Sequence, residues 1–216
     1  MNLFPQTESY PFPDQRFRFE WELLQSNKKY IAGVDEAGRG PLAGCVVASS
    51  VILNPENLIW KIDDSKKLTE IERDDLFDEI NEKALSVGVG ISSIEEIDQL
   101  NILQATVLSM KRSIEKLSIQ PDFILVDGNY GIPGLERTKP IIKGDALSLS
   151  IGAASIIAKV TRDRMMKDLH LKFPEYGFDQ HKGYGTKHHV EMIRKFGYSP
   201  VHRKSFKVKE LEGISF

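Results

Sequence analysis

Apolar and polar positions along this 216-residue chain fall into short β-type runs and longer helical patterns. Pro5, Pro11 and Pro13 make the first 14 residues an irregular arm. Residues 15–26 predict a short helix with Phe17, Phe19, Trp21 and Leu24 as packing residues. Tyr30–Val34 predicts a strand that stops at Asp35-Glu36-Ala37-Gly38-Arg39-Gly40-Pro41, and Cys45–Leu53 a second strand ended by Asn54-Pro55. Thr69-Glu70-Ile71-Glu72 is a capping box, in which two orphan amides are satisfied reciprocally, and it opens a helix to about Leu85. Ser86–Ser92 predicts a strand, and Ser92-Ser93-Ile94-Glu95 a second capping box for a helix to about Leu117. Phe123–Val126 and Pro140–Lys143 predict short strands, and Ala146–Leu171 a helix that turns basic after Lys159. Residues 177–185 read as a loop and Thr186–Phe196 as a last, basic helix. Early β-runs followed by alternating helices and strands give an α/β or α+β sheet with helices on its faces.

Composition narrows the class. With 41% apolar and 28% charged residues the chain has the make-up of a soluble globular domain, and one cysteine excludes a disulfide scaffold. Cys45, within Cys45-Val46-Val47-Ala48, reads as a small buried apolar residue. The longest apolar stretch, Leu147–Ala158, has 12 residues and is too short to span a bilayer. The first residues lack the basic and apolar regions of an export signal, so the expected setting is the reducing cytoplasm, with no membrane partner.

The net charge of −2 conceals two opposed terms. Residues 159–209 hold 13 Lys+Arg against 5 Asp+Glu, or +8. Residues 1–158 hold 16 against 24, or −8, and residues 210–216 add −2. All five histidines fall in the basic segment. A basic surface beside an acidic one suits a protein that grips phosphates and holds cations, although a solvated helix face gives the same count.

Three β-runs end in carboxylates: Val34-Asp35-Glu36, Val126-Asp127-Gly128 and Lys143-Gly144-Asp145. Strand ends line the crevice of an open α/β sheet. Four carboxylates converging there would repel one another, and a hard divalent cation removes that repulsion. All-oxygen ligation points to Mg²⁺ or Mn²⁺, and two such ions about 3.5–4 Å apart suit phosphodiester cleavage. Any one of these acids alone also fits a helix cap or an Asx-turn. Adjacent strand residues face opposite ways, so Asp35 and Glu36 are expected to share a site only where Gly38 and Gly40 break the pleat. Gly33 and Gly38 imitate phosphate-loop spacing, but Arg39 and Gly40 stand where that motif needs lysine and a hydroxyl. Gly38-Arg39-Gly40 reads better as exposed backbone that a substrate can approach, with Arg39 in reach of a phosphate, or as an ordinary tight turn. Lys66, Lys67, Lys143, Lys159 and Arg162 are candidate phosphate contacts, and Asp163 a salt-bridge partner. His181, His188 and His189 lack zinc spacing and are read as phosphate-face donors or caps of the last helix.

Taken together the motifs resemble those of the ribonuclease HII family. The resemblance runs through Tyr30–Gly44, Asp64–Leu68, Ile124–Asn129, Lys143–Asp145, Ala153–Asp163, His181–Thr186 and His202–Phe206, in family order. It implies a ribonuclease H-like mixed sheet flanked by helices, with a C-terminal helical part. It also implies a carboxylate tetrad of Asp35, Glu36, Asp127 and Asp145 that binds two divalent ions, Mg²⁺ or Mn²⁺. The implied reaction cuts the phosphodiester on the 5′ side of a ribonucleotide and leaves a 3′-hydroxyl and a 5′-phosphate. Gly38, Arg39 and Gly40 would read the 2′-hydroxyl, Tyr184 would stack on the deoxyribose past the junction, and Lys66 and Lys143 would contact the backbone. Gly152, where alanine is more usual, and the arm before residue 15 depart from the pattern.

The implied substrates are RNA–DNA hybrids and duplex DNA with embedded ribonucleotides, handled by a monomer. Residues 15–206 would form the catalytic domain, preceded by the arm at 1–14 and followed by a tail at 207–216. The tail residues Glu212–Phe216 lack a convincing pattern for a replication clamp. A structure-selective DNA nuclease of the same fold is a rival that Gly38-Arg39-Gly40 with Tyr184 argues against. A hybrid-binding protein without catalysis is a second, against which the four intact acids stand.

Overall fold

The computed structural model describes residues 10–207, so residues 1–9 of the arm and residues 208–216 of the tail, with its clamp motif question, lie outside the described residues. A 3-10 turn at Gln15–Phe17 leads into α1 (Arg18–Gln25), β1 (Ile31–Ala37) and β2 (Val46–Ile52). Then follow α2 (Glu70–Lys83), β3 (Ser86–Ser92), α3 (Ile94–Leu100) and α4 (Ile102–Glu115). After β4 (Phe123–Asp127) and β5 (Thr138–Ile141) come α5 (Gly144–Leu147), α6 (Leu149–Lys172), α7 (Phe178–His181) and α8 (Lys187–Phe196). The strands form one mixed sheet in the order β3-β2-β1-β4-β5. β1 runs antiparallel to β2 and parallel to β4, and β4 runs parallel to β5. Helices flank this sheet and α7 and α8 close the C-terminal end, as the resemblance implied.

The α2 capping box forms as expected, with Thr69 Oγ1 and the Glu72 carboxylate exchanging bonds with each other's amides. The second box is shifted by one residue: Ser93 and Glu96, not Ser92 and Glu95, make the reciprocal bonds. The helix expected to run unbroken to Leu117 is also two helices. Asn101 takes φ 70°, and its Oδ1 accepts from Leu103 N (3.0 Å) and Gln104 N (3.2 Å), which starts α4 on a new axis. Asn is suited to this because its short amide competes for local backbone groups. Ser148 likewise divides the predicted Ala146–Leu171 helix, its hydroxyl accepting from Ile151 N at the start of α6. The predicted loop at 177–185 contains the single turn α7.

α4 covers one face of the sheet and α6 the other. Ala32, Val34, Ala48 and Ile124 pack with Met110 and Ile114, while Val51 packs with Ala153, Ile157 and Ile80. The described end of the arm is anchored: Tyr10 packs edgewise on Trp21, Phe12 packs edgewise on Phe17 and Trp21, and Phe12 also lies tilted against Trp60. α6 passes unusually close to β1. A Cβ on Gly33 would lie 2.1 Å from the carbonyl carbon of Ser150, backbone against backbone. Among the described residues no helix is long and apolar enough to cross a membrane. Gly33→Ala is therefore expected to lower unfolding stability by about 3 kcal/mol, the upper range for overpacking, as read by urea denaturation; an unchanged midpoint would show that the helix can retreat at no cost.

Candidate active site at the ends of the parallel strands

β1 pairs with β4 as far as Val34 opposite Val126, and β4 pairs with β5 as far as Asp127 opposite Ile141. The carboxylates sit at these ends. Asp35 follows Gly33 on the α6 face and is buried. Asp127 follows Leu125 on the same face, and its Oδ1 accepts from Gly144 N at 2.6 Å. That bond brings Asp145, in the first turn of α5, to the same crevice. β1 stays paired with β2 through Ala37, so Glu36 lies within the ladder, yet its carboxyl is near enough to Asp35 for its charge to raise that group. The break expected from the glycines comes just after the strand, at Gly38, whose φ is +98°.

Electrostatics ties the four together nonetheless. Burial raises the Asp35 carboxyl well above its usual range, and the charges of Glu36 and then Asp127 raise it further, against a hydrogen bond from Ser155. Burial also raises Glu36, opposed by Arg39, whose Nη1 lies 3.2 Å from Glu36 Oε1. Asp127 is raised by burial and then by Asp145. Lys66 Nζ sits 3.3 Å from Asp145 Oδ2, so the Asp64-Ser65-Lys66 loop belongs to this crevice. Partial burial works against the Lys66 ammonium, but Asp145, Asp64 and Asp35 raise it overall. Lys143 stands exposed at the entry to α5 with φ 58°. Hard oxygen donors whose mutual charge is only partly relieved, by Arg39 at Glu36 and Lys66 at Asp145, fit a divalent cation in chemistry. As the side chains stand, no group of three or more His, Cys, Asp or Glu among the described residues meets the geometry of a metal centre. Mg²⁺ is usually held by one or two carboxylates, with water or phosphate oxygens completing its shell.

Gly38 has φ +98°, and a Cβ there would lie 2.1 Å from Arg162 Nε, so the turn requires glycine. Gly40 is different: its Cβ would stand 3.5 Å from Tyr184 Cε1, an ordinary contact. The half-exposed Tyr184 ring thus lies against the turn. Gly152, the departure from the family pattern, also has a local reason. A Cβ there would be 2.8 Å from Ile62 Cγ2 and 3.0 Å from Asp145 O.

Two expectations for the basic segment are overturned. Arg162 is no phosphate contact: it is 1% exposed and its guanidinium is occupied by backbone carbonyls. Lys159 is paired with Asp163 at 2.7 Å, which leaves Asp163 in its expected role as an ion-pair partner. His189 and His181 are not phosphate donors either. Ser199 N donates to His202 Nδ1 (2.9 Å), so the proton of His202 is on Nε2, which lies 3.0 Å from His189 Nε2. His189 must accept there and donate from Nδ1 to Tyr184 O (2.9 Å). Gly183 N donates to His181 Nδ1, leaving His181 Nε2 to donate to Tyr176 O at 2.7 Å. These neutral rings fix the backbone of the Tyr184 loop, while Thr186 rather than a histidine caps α8. His188 alone of the three is exposed. Sequence reasoning also missed Glu20 on α1, buried and raised by that burial, whose Oε1 accepts from Ser148 Oγ and Ser150 N. An acid inside an otherwise amphipathic pattern gives no signal of burial.

Two outcomes follow for stability. Asp35 has a folded pKa above its unfolded one, so its contribution is present at low pH and lost as pH rises. Asp35→Asn should stabilise the metal-free protein at pH 7.5 by about 1–2 kcal/mol, with a smaller gain at pH 5 in urea titrations. His189 and His202 are held down to about 4 chiefly by burial, with His181 further opposing charge on His189 and His189 further opposing charge on His202. The unfolded chain then takes up protons first, and stability falls by a few kcal/mol as pH drops from about 6.5 to about 4. Urea midpoints at pH 7 and 5 should fall further apart in the wild type than in His202→Gln; equal pH responses would remove the pair from this account.

The family model of Ribonuclease HII matches residues 32–209. A Ribonuclease HII of Clostridioides difficile (strain 630) is 54% identical over 189 residues, covering 87% of this chain and 74% of the relative. The ribonuclease H2 structure from Pyrococcus horikoshii OT3 superposes with a TM-score of 0.70 at 28% identity, covering 83% of this chain and 94% of that one. The Archaeoglobus fulgidus RNase HII, solved in complex with PCNA, gives 0.71 at 28% identity over 84% of this chain and 96% of that one. The matched residues take in every strand-end carboxylate, the Gly38–Gly40 turn and Tyr184, and the chain belongs to the ribonuclease HII family as a ribonuclease H, an enzyme of the hydrolase class.

Proposed function

We propose that the chain is an endonuclease that hydrolyses the RNA strand of RNA–DNA hybrids and cuts on the 5′ side of ribonucleotides embedded in duplex DNA, leaving 3′-hydroxyl and 5′-phosphate ends. The observation that carries this reading is the adjacency of two features: mutually coupled carboxylates at the strand ends, and a glycine turn with an exposed tyrosine against it. The first suits phosphodiester hydrolysis and the second suits contact with a sugar edge and face.

Two divalent ions, Mg²⁺ or Mn²⁺, held by Asp35, Glu36, Asp127 and Asp145 in the substrate complex, would activate water and offset charge on the leaving oxygen. The family's dependence on divalent metals supports that cofactor. The chain's own residues do the rest. Asp127 is oriented by Gly144 N (2.6 Å) and Asp35 by Glu36 N (2.7 Å). Lys66 beside Asp145, and Lys143 exposed at the mouth, are placed to meet backbone phosphates. Gly40, with no side chain, leaves its peptide open to the ribose, and Tyr184 offers a ring to the next sugar. Residues 15–206 act as the catalytic domain of a cytoplasmic monomer in this reading.

The test is cleavage of duplex DNA carrying one ribonucleotide, beside an all-DNA control, with the 5′ ends mapped. Wild type with Mg²⁺ should cut the first and spare the second. Asp35→Asn should lose on the order of a thousandfold in rate while largely keeping affinity. Equal cutting of the control, or undiminished cutting by the variant, would refute the assignment.

A further inference from the structure

The segment Gly38–Cys45 rests on two buried arginines. Arg203 Nε donates to Gly44 O (2.9 Å), Nη1 to Arg39 O (3.0 Å), and Nη2 to Gly38 O (2.6 Å) and Cys45 O (3.2 Å). Arg162 Nε donates to Cys45 O (3.0 Å), Nη2 to Ala43 O (3.1 Å) and Nη1 to Lys182 O (3.0 Å), next to the Tyr184 loop. Each is 1% exposed, and neither forms an ion pair with a carboxylate among the described residues. Burial first, and the Arg162 charge second, hold Arg203 down to about 9. Two cations buried side by side are costly unless dipoles solvate them, and here the dipoles are the carbonyls of the turn.

The direction of those carbonyls has a consequence for the other side of each peptide. No peptide bond among the described residues is cis, so N–H and C=O of one unit point opposite ways. Gly38 O faces Arg203, which turns the Arg39 N–H outward. Arg39 O faces Arg203, which turns the Gly40 N–H outward. Arg39 and Gly40 are exposed, beside the Tyr184 ring. A cation on a carbonyl also polarises its peptide and strengthens the N–H beyond it as a donor.

We propose that Arg203, backed by Arg162, is the positioning residue for ribose selection, holding the peptides 38–39 and 39–40 so that two strengthened N–H donors face the 2′-hydroxyl oxygen. Arg203 touches no substrate and acts through the backbone it grips. The inference rests on the reading of the Gly38–Gly40 turn given under Proposed function. A lysine cannot substitute, because its point charge lacks the planar fork that spans four carbonyls.

The test compares Arg203→Lys with wild type in affinity, in metal-free buffer, for duplex DNA with one ribonucleotide and for the all-DNA duplex, together with KM and kcat. Arg203→Lys should lose about tenfold of the ribose preference, through a raised KM, while affinity for the all-DNA duplex stays within about twofold. The amide protons of Arg39 and Gly40 should move upfield in ¹H–¹⁵N spectra whose remaining peaks hold their places. Equal weakening on both duplexes, with the preference intact, would overturn the proposal. If Arg203→Lys does not fold, Arg162→Lys takes its place, with about a threefold loss of preference expected and no loss overturning it. Gly40→Ala separates the two levels: if it keeps the full preference, the turn does not read ribose at all, whatever the arginines do.

Discussion

The lengthwise alignment of α6 against β1 is the constraint on which the site depends. From Gly33 to Gly38 the extended chain rises about 16 Å, and from Ser150 to Arg162 the helix rises about 18 Å. Both run in one direction and nearly in step. Gly33 therefore meets Ser150, Asp35 meets Ser155, and Gly38 meets Arg162. The absent side chain at Gly33 lets the helix lie close enough for the second and third contacts to form. The strand-end carboxylate Asp35 and the Gly38–Gly40 turn are thus held by a single helix through one packing register.

Charge in this molecule is arranged by depth more than by sequence. The acidic residues of the strand ends are crowded and partly desolvated, which raises their carboxyls. The basic segment supplies less free charge than its composition implies. Arg162 and Arg203 are buried, Lys159 is paired, and Arg164 and Lys167 reach across to Asp74 (2.9 Å) and Glu70 (2.6 Å) on α2. The last two pairs are exposed and weak, and a phosphate backbone can compete for them.

Much of the architecture was legible because local rules acted alone. Thr69 and Glu72 announced α2, alternating apolar runs announced the strands, and the strand-end acids announced the crevice. The family motifs added the turn and Tyr184. The misreadings and omissions share a physical cause, which is that burial cannot be seen in a polar residue's name. Arg162, Arg203, His189, His202 and Glu20 look like surface residues in sequence, yet each lies inside and takes its role from backbone groups distant along the chain. Asn101 and Ser148 were missed for another reason. A single residue that caps a new helix interrupts a periodic pattern too briefly to show.

The convergence of both guanidiniums on the Cys45 carbonyl also sets two opposed influences on the molecule's lone thiol. Two adjacent cations ordinarily stabilise a thiolate and make a cysteine nucleophilic. Here burial outweighs them, and the Cys45 pKa is raised rather than lowered. Its sulfur lies 3.7 Å from Met165 Sδ, within the protein. Burial thus keeps the thiol in its protonated, less nucleophilic form at the base of the Gly38–Gly40 turn.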